Sequence, residues 1–289
     1  MARAGLVNRA VPVALTVAGS DSGGGAGIQA DLKTFAAHGV YGTSVLTALT
    51  AQNTRGVHGV LPVPADFVRR QLDAVLDDIA VDATKIGMLA DAEVVRAVAQ
   101  GLGSRRAGPV VLDPVMVATS GDALLDPDAV GAVRELLLPL ADLVTPNVPE
   151  AAVLLGTDPA TSVAQCREQA EELLRRSGTA VLLKGGHLDG GDSGTDSVDV
   201  LATSAGTVLV RRERVATTAT HGTGCTLSSA LAAQAALHPA PAGADPDWAA
   251  LLGPARDYLQ AALLAGARLS IGSGHGPLDH AFALREDRP

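Results

Sequence analysis

Val13-Ala14-Leu15-Thr16-Val17-Ala18-Gly19-Ser20-Asp21-Ser22-Gly23-Gly24-Gly25-Ala26-Gly27 is the stretch on which the reading of this chain turns. Its first six residues form a short, almost wholly apolar run, the pattern of a strand buried on both faces. Glycines crowd the next nine residues and end the strand, because glycine reaches the backbone conformations that tight turns demand. Residues 28–37 then set Ile28, Leu32 and Phe35 at helical spacing. A buried strand, a glycine loop and an amphipathic helix make one βα unit. The competing reading is an export signal, since Arg3 and Arg9 precede a short apolar run at 11–18. The unbroken passage from strand to loop to helix favours the βα unit, and the expectation is a cytoplasmic protein.

The alternation continues outward from there. Short apolar runs stand at 44–49, 84–87, 110–112, 143–145 and 180–183, and amphipathic segments at 28–37, 66–79, 91–102, 128–138 and 163–176 separate most of them. This order predicts a mostly parallel sheet covered by helices on both faces. Segments 197–203 and 207–210 flank a glycine-containing turn and predict a hairpin at one sheet edge. Helices are expected at 226–237 and 248–269, joined by the Pro/Ala/Gly-rich loop 238–247. With no internal repeat, residues 1–289 read as one domain, with 1–10 and 281–289 as tails.

Composition narrows the function classes. Apolar residues make up 47% of the chain and aromatics only 2%, so the core must be built from Ala, Val and Leu. A net charge of −9 with no long basic run repels a phosphate backbone and argues against nucleic acid as a partner. The cysteines, Cys166 and Cys225, are too few for a disulfide framework, and the seven histidines are scattered without structural-zinc spacing. No apolar run is long enough to span a bilayer.

The residues of unusual chemistry fall where strands end and helices begin, the place where open parallel sheets collect ligands. His221-Gly222-Thr223-Gly224-Cys225-Thr226 runs straight into a helix of small residues. Two glycines one residue apart turn successive N–H groups toward one point, and the helix start adds unpaired donors and the positive end of its dipole. Thr223 and Thr226 can add hydroxyls, and the whole reads as an anion site. Asp31 shares the apolar face of helix 28–37, so it is either an edge residue or an acceptor for a ligand's amino or hydroxyl group. Gln52 offers an amide that both donates and accepts, which suits an aminopyrimidine edge. Met88 and Val115 follow two strands as either core or a soft wall against a flat ring, and Asp113 ends the second of those strands beside the expected nucleotide. Glu150, after Asn147, is a helix-dipole partner or a group that positions hydrated Mg²⁺. Lys184 ends a strand where only an anionic ligand explains it. The glycine anion hole, the acidic candidate and the strand-end lysine together point to phosphoryl transfer.

Five motifs occur together and in order: residues 18–35, Lys-Ile-Gly-Met-Leu (85–89), Thr-Pro-Asn-Val-Pro-Glu-Ala (145–151), Lys-Gly-Gly-His (184–187) and His-Gly-Thr-Gly-Cys-Thr-Leu (221–227). In these the chain resembles the hydroxymethylpyrimidine/phosphomethylpyrimidine kinases of thiamine biosynthesis, within the ribokinase-like superfamily. The resemblance runs from about Val13 to His280. It implies a three-layer α/β/α fold with a small edge hairpin or flap, ATP and Mg²⁺ as cofactors, and a homodimer. It also implies phosphorylation of 4-amino-5-hydroxymethyl-2-methylpyrimidine and then of its monophosphate. By matching motif, Gln52, Asp31 and Gly19 should address the pyrimidine, with Met88 and Val115 near the ring. Asn147, Glu150 and Lys184 should face ATP and its Mg²⁺, the ion held by Glu150 through water. Gly222, Thr223, Gly224 and Cys225, with Lys184, should hold the transferring phosphoryl group. The chain departs from the family in Asp21-Ser22-Gly23-Gly24-Gly25, where Asp-Pro-Ser-Gly-Gly is frequent, and in Thr119, where lysine is frequent.

Sugar kinases of the superfamily place an aspartate base where Cys225 stands. A thiol at a helix N-terminus is expected to have a lowered pKa and to be partly thiolate. A group able to stay neutral suits two successive acceptors, an alcohol and then a phosphate anion that an aspartate would repel. The rival substrate is pyridoxal, a similar ring alcohol, and a non-catalytic pyrimidine sensor is the reading from a different class.

Overall fold

A computed structural model describes residues 11–105, 107–116, 127–186 and 196–286. β1 (Val13–Ala18) is buried throughout, and α1 (Gly27–Ala37) follows the glycine loop with Ile28 and Phe35 inward. β2 (Tyr41–Leu46) pairs parallel with β1. The strand expected at 44–49 is in fact two. At Thr47 the backbone N–H turns to the Ala18 carbonyl and the hydroxyl to the Met88 carbonyl. The chain bends there, and β3 (Ala48–Asn53) pairs antiparallel with β4 (Gly56–Pro62) as a separate small sheet.

After α2 (Ala65–Asp78), β5 (Ala83–Ile86), α3 (Ala92–Ser104) and β6 (Val110–Leu112), the helix expected at 128–138 is irregular. It comprises α4 (Pro127–Ala132), a π turn and a 3-10 turn ending at Leu140. Pro139 lacks the N–H that a regular ladder needs. β7 (Leu143–Val144), α5 (Val148–Leu155), α6 (Val163–Ser177), β8 (Ala180–Leu183), β9 (Asp196–Thr203), β10 (Gly206–Glu213), α7 (Thr223–Leu237), α8 (Trp248–Gly266) and α9 (Ala283–Glu286) complete the order. The expected C-terminal tail is partly folded, since Phe282 packs on Tyr258 ahead of α9. The expected N-terminal tail 1–10, Thr119, His187 and residues 287–289 lie outside the described residues.

The eight-stranded sheet runs β10-β9-β8-β7-β6-β5-β1-β2. All pairings are parallel except β8–β9 and β9–β10, so the predicted edge hairpin is present. One face packs against α1, α7 and α8, the other against α2 through α6, giving the three-layer α/β/α architecture. α7 is buried along nearly its whole length, and its alanines let it sit tightly between the sheet, α1 and α8. A helix apolar all round belongs inside. Because β1 lies between β2 and β5, the strand order reverses at β1, and it is beyond the carboxyl end of such a strand that open parallel sheets collect ligands. Among the described residues no helix is long and apolar enough to cross a membrane.

Candidate active site

α7 starts at Gly222, whose φ of 86° is one that side chains resist and whose added Cβ would collide with the Gly25 carbonyl. The β1–α1 loop and the α7 start therefore touch through backbone. Thr226 closes the first turn, donating its N–H (2.9 Å) and hydroxyl (2.8 Å) to the Gly222 carbonyl. Its hydroxyl also meets His280 Nε2 at 2.9 Å, so Thr226, fully buried, is not the ligand donor the sequence suggested. The half-buried Gly224 and Cys225 carry first-turn N–H groups that an α-helix leaves without an intrahelical partner, while the Thr223 N–H donates to the Thr220 carbonyl at 3.3 Å.

Lys184 lies beside this helix start. An added Cβ on Gly224 would stand 3.2 Å from its Nζ, and Nζ donates to Asp113 Oδ1 at 2.7 Å. Asp113 also accepts from Thr145 (3.2 Å) and Ser228 (3.3 Å). Burial pushes the Asp113 carboxyl up, but Lys184 and then Lys85 outweigh it and hold it below its ordinary value. Burial likewise opposes the Lys184 charge, and Asp113 and Glu150 outweigh it. Glu150 forms a capping box with Asn147, each side chain accepting the other's backbone N–H at 2.8 Å. The Met116 backbone N–H also bonds this carboxylate. Burial pushes the Glu150 carboxyl up to about 7, against the pull of Lys184, with Asp113 adding to the rise.

Two expectations are corrected here. Asp31 does not face a ligand: it is wholly buried, and both its oxygens bond Lys85 Nζ at 2.9 Å. Thr16 and Ser229 each donate to it at 2.6 Å, so its acceptor capacity is spent on the protein. Cys225 is not activated. Burial pushes its thiol up to about 11, Asp31 and Asp113 adding to the rise and Lys85 only partly offsetting it.

At the carboxyl end of β1, Gly19 closes on Met88 (N–H to carbonyl, 3.1 Å), and an added Cβ on Gly19 would stand 2.7 Å from the Met88 sulfur. Met88, Ala48 and Ala90 form a small apolar cluster with Val115 packed on it. Gln52, half-buried on β3, has its Nε2 3.5 Å from His221 Nε2. The sequence reading missed the Asp21–His221 pair. Asp21 gathers the N–H groups of Gly23, Gly25 and Ala26 at 2.8–2.9 Å and meets His221 Nε2 at 2.8 Å. It also missed Lys85 as the partner of Asp31. A lysine inside an apolar strand was the available signal, since such a charge requires a buried carboxylate.

A helix start with unpartnered first-turn N–H groups and a strand-end lysine beside it, on a parallel α/β/α sandwich, define an ATP-dependent kinase of the ribokinase-like type. The family model described as phosphomethylpyrimidine kinase matches residues 21–279. The hydroxymethylpyrimidine/phosphomethylpyrimidine kinase of Rhizobium meliloti (strain 1021) is 52% identical over 269 residues, 93% of this chain and 96% of that protein. The crystal structure of phosphomethylpyrimidine kinase from Clostridium difficile 630 superposes with a TM-score of 0.73 at 38% identity, over 86% of this chain and 98% of that one. Bacillus subtilis pyridoxal kinase, solved as an ADP complex, superposes with a TM-score of 0.83 at 36% identity, over 95% of this chain and 99% of that one. The chain belongs to the phosphomethylpyrimidine kinase family.

Proposed function

We propose that the protein uses ATP to phosphorylate 4-amino-5-hydroxymethyl-2-methylpyrimidine and then its monophosphate, producing the pyrophosphate ester for thiamine biosynthesis. One set of contacts supports the residue assignment: Lys184 lies beside Gly224 in the first turn of α7, His221 just before that turn lies beside Gln52 and Gly25, and Met88 closes on Gly19. The pyrimidine ring lies against Met88 and Val115 with its amino edge toward Gln52, close to Gly19. The glycine-rich turn 222–225 and Lys184 hold the transferring phosphoryl group, and Asn147, Glu150 and Asp113 face the nucleotide. Most of the rate comes from alignment and charge stabilisation, because phosphoryl transfer asks little covalent chemistry of the protein.

Mg²⁺ fits this donor set. Asp113 and Glu150 supply hard oxygens beside Lys184, and Glu150 is a buried carboxyl that a neighbouring cation would ionise. Among the described residues no group of three or more His, Cys, Asp or Glu can hold a metal by itself. The ion would therefore be held by Glu150 through water and by nucleotide phosphates, as Mg²⁺ prefers. Bound there, it neutralises developing phosphate charge. The same proposal includes a cytoplasmic homodimer, its contact on the β3–β4 sheet where Leu49, Val60 and Leu61 are exposed.

The test is ATP turnover with Mg²⁺ on hydroxymethylpyrimidine, its monophosphate and pyridoxal in parallel. Turnover on both pyrimidines is expected. Turnover on pyridoxal alone would move the assignment to vitamin B6 salvage, the reading favoured by the superposition on the Bacillus subtilis enzyme. No turnover on any of them would leave a pyrimidine-binding sensor.

A further inference from the structure

β8 stops where Lys184 begins. Its antiparallel ladder with β9 pairs Leu182 with Leu201 and Leu183 with Val200. One step further the register would set Lys184 opposite Asp199, but the ladder ends before it. The Lys184 N–H donates instead to the Pro146 carbonyl at 2.8 Å, on the β7 side. The next N–H, that of Gly185, turns to the β9 side, as successive strand amides alternate. There the Asp199 carboxylate accepts it at 3.1 Å. A side chain thus continues the sheet by one hydrogen bond past its last strand pair. Behind it stands Arg256 of α8, whose Nε lies 3.2 Å from the other Asp199 oxygen without hydrogen-bond alignment. Arg256 Nη2 donates to Ser197 Oγ at 3.3 Å, two residues before Asp199 on the same face of β9. Both ions are buried. Such a pair is a poor stability device, since apolar residues of similar volume serve a fold as well or better. What the charge does supply is a strong acceptor for the Gly185 N–H.

We propose that Asp199, balanced by Arg256, is a positioning residue for Lys184, fixing through the Gly185 N–H the strand end from which the ammonium reaches Asp113 and the first turn of α7. The inference rests on the phosphoryl role proposed for Lys184. Pro146 holds the backbone at Lys184 from one side and Asp199 holds it at Gly185 from the other. The braced strand also lies against the following turn, where a Cβ added to Gly186 would stand 3.4 Å from Ser197 Oγ. With its stem rooted in this way, the ammonium keeps its place beside Gly224 before a phosphoryl group arrives. The phosphoryl donor is the same in both phosphorylations, so Asp199 acts alike on the two steps and leaves the pyrimidine end untouched.

The experiment is a double-mutant cycle read by kcat and KM on the alcohol and on the monophosphate. Asp199→Asn leaves one oxygen for two donors, the Gly185 N–H and the guanidinium, and the charged group takes it. kcat is expected to fall on the order of tenfold in both steps, with the pyrimidine KM unchanged. In a Lys184→Ala background the same substitution should cost less than about twofold, because the group it positions is gone. The double variant Asp199→Val/Arg256→Met removes both charges together, which separates positioning from stability and serves equally should Asp199→Asn fail to fold. Its unfolding midpoint should stay near the wild-type value while its kcat falls as in the single variant. Full activity in that stable protein would overturn the proposal, as would an equal penalty with and without Lys184, or a penalty on the pyrimidine KM alone. Lys184→Ala with undiminished turnover would instead sink the phosphoryl role of Lys184 and this inference with it, so the two failures are told apart.

Discussion

In the proposed reaction Cys225 stands where the two acceptor steps make opposite demands on charge. The hydroxymethyl group must lose a proton in the first transfer, whereas the phosphate monoester of the second is already mostly ionised near neutral pH. With its thiol pushed up to about 11, Cys225 is neutral in both. Cys225→Asp would add a third carboxylate to Asp31 and Asp113 and face the incoming phosphate. The second phosphorylation should fall on the order of a hundredfold, and the first by about tenfold or less. Separate rate measurements on the alcohol and the monophosphate check this, and equal losses would refute it. At this scale the sequence was half legible. Asp31 was visibly a carboxylate on an apolar helix face, so its need for a partner could be read. That the partner is Lys85, 54 residues away, could not, because only the parallel crossover to β5 brings them together.

The element proposed to hold the transferring phosphoryl group, α7, is stapled at its first turn by the C-terminal segment. His280 is buried, and burial pushes its imidazole down to about 4, with Lys33 adding to the fall and Asp279 opposing it. Since the Thr226 hydroxyl donates to the Gly222 carbonyl, His280 Nε2 must be the donor to Thr226. A histidine whose folded pKa lies below its unfolded value binds fewer protons when folded. Its contribution is therefore fully present above about pH 6.5 and is lost as pH falls toward 4, amounting to about 3 kcal/mol. Denaturant unfolding from pH 7 to pH 4 should show the wild type losing more stability than His280→Gln, which retains a donor and cannot titrate. Parallel pH profiles for the two proteins would count against the staple. The glycines of residues 222–224 announced this helix start because tight backbone approach has a local signature. Its supports lie 54 and 200 residues away in sequence, at His280 and Asp21, and no local pattern joins them. The bend at Thr47 escaped for the same reason, its partners being Ala18 and Met88.

On the scale of the whole molecule, the parallel sheet was legible because strands buried on both faces write themselves as continuous apolar runs. The small β3–β4 sheet was not, since its exposed, mixed positions give no period. Charge also acts at this scale. A net −9 opposes the approach of ATP, so nucleotide affinity must come from local donors. Stopped-flow association of MgATP should accelerate as ionic strength rises from about 10 to about 150 mM, as the screening length shrinks from about 30 to about 8 Å. Deceleration would mean a locally positive entrance steers the nucleotide despite the overall charge. The order of the site along the chain has one more consequence. Groups assigned to the acceptor, Gly19, Gln52, Met88 and Val115, come first in the sequence. Those assigned to the donor, Asp113, Asn147, Glu150, Lys184 and 222–225, come after, overlapping only at 113–115. The two halves of the reaction are thus written as nearly separate paragraphs of one gene. Lineages can revise the vitamin precursor they accept in the first without rewriting the second, as long as the seam between Asp21 and His221 still closes.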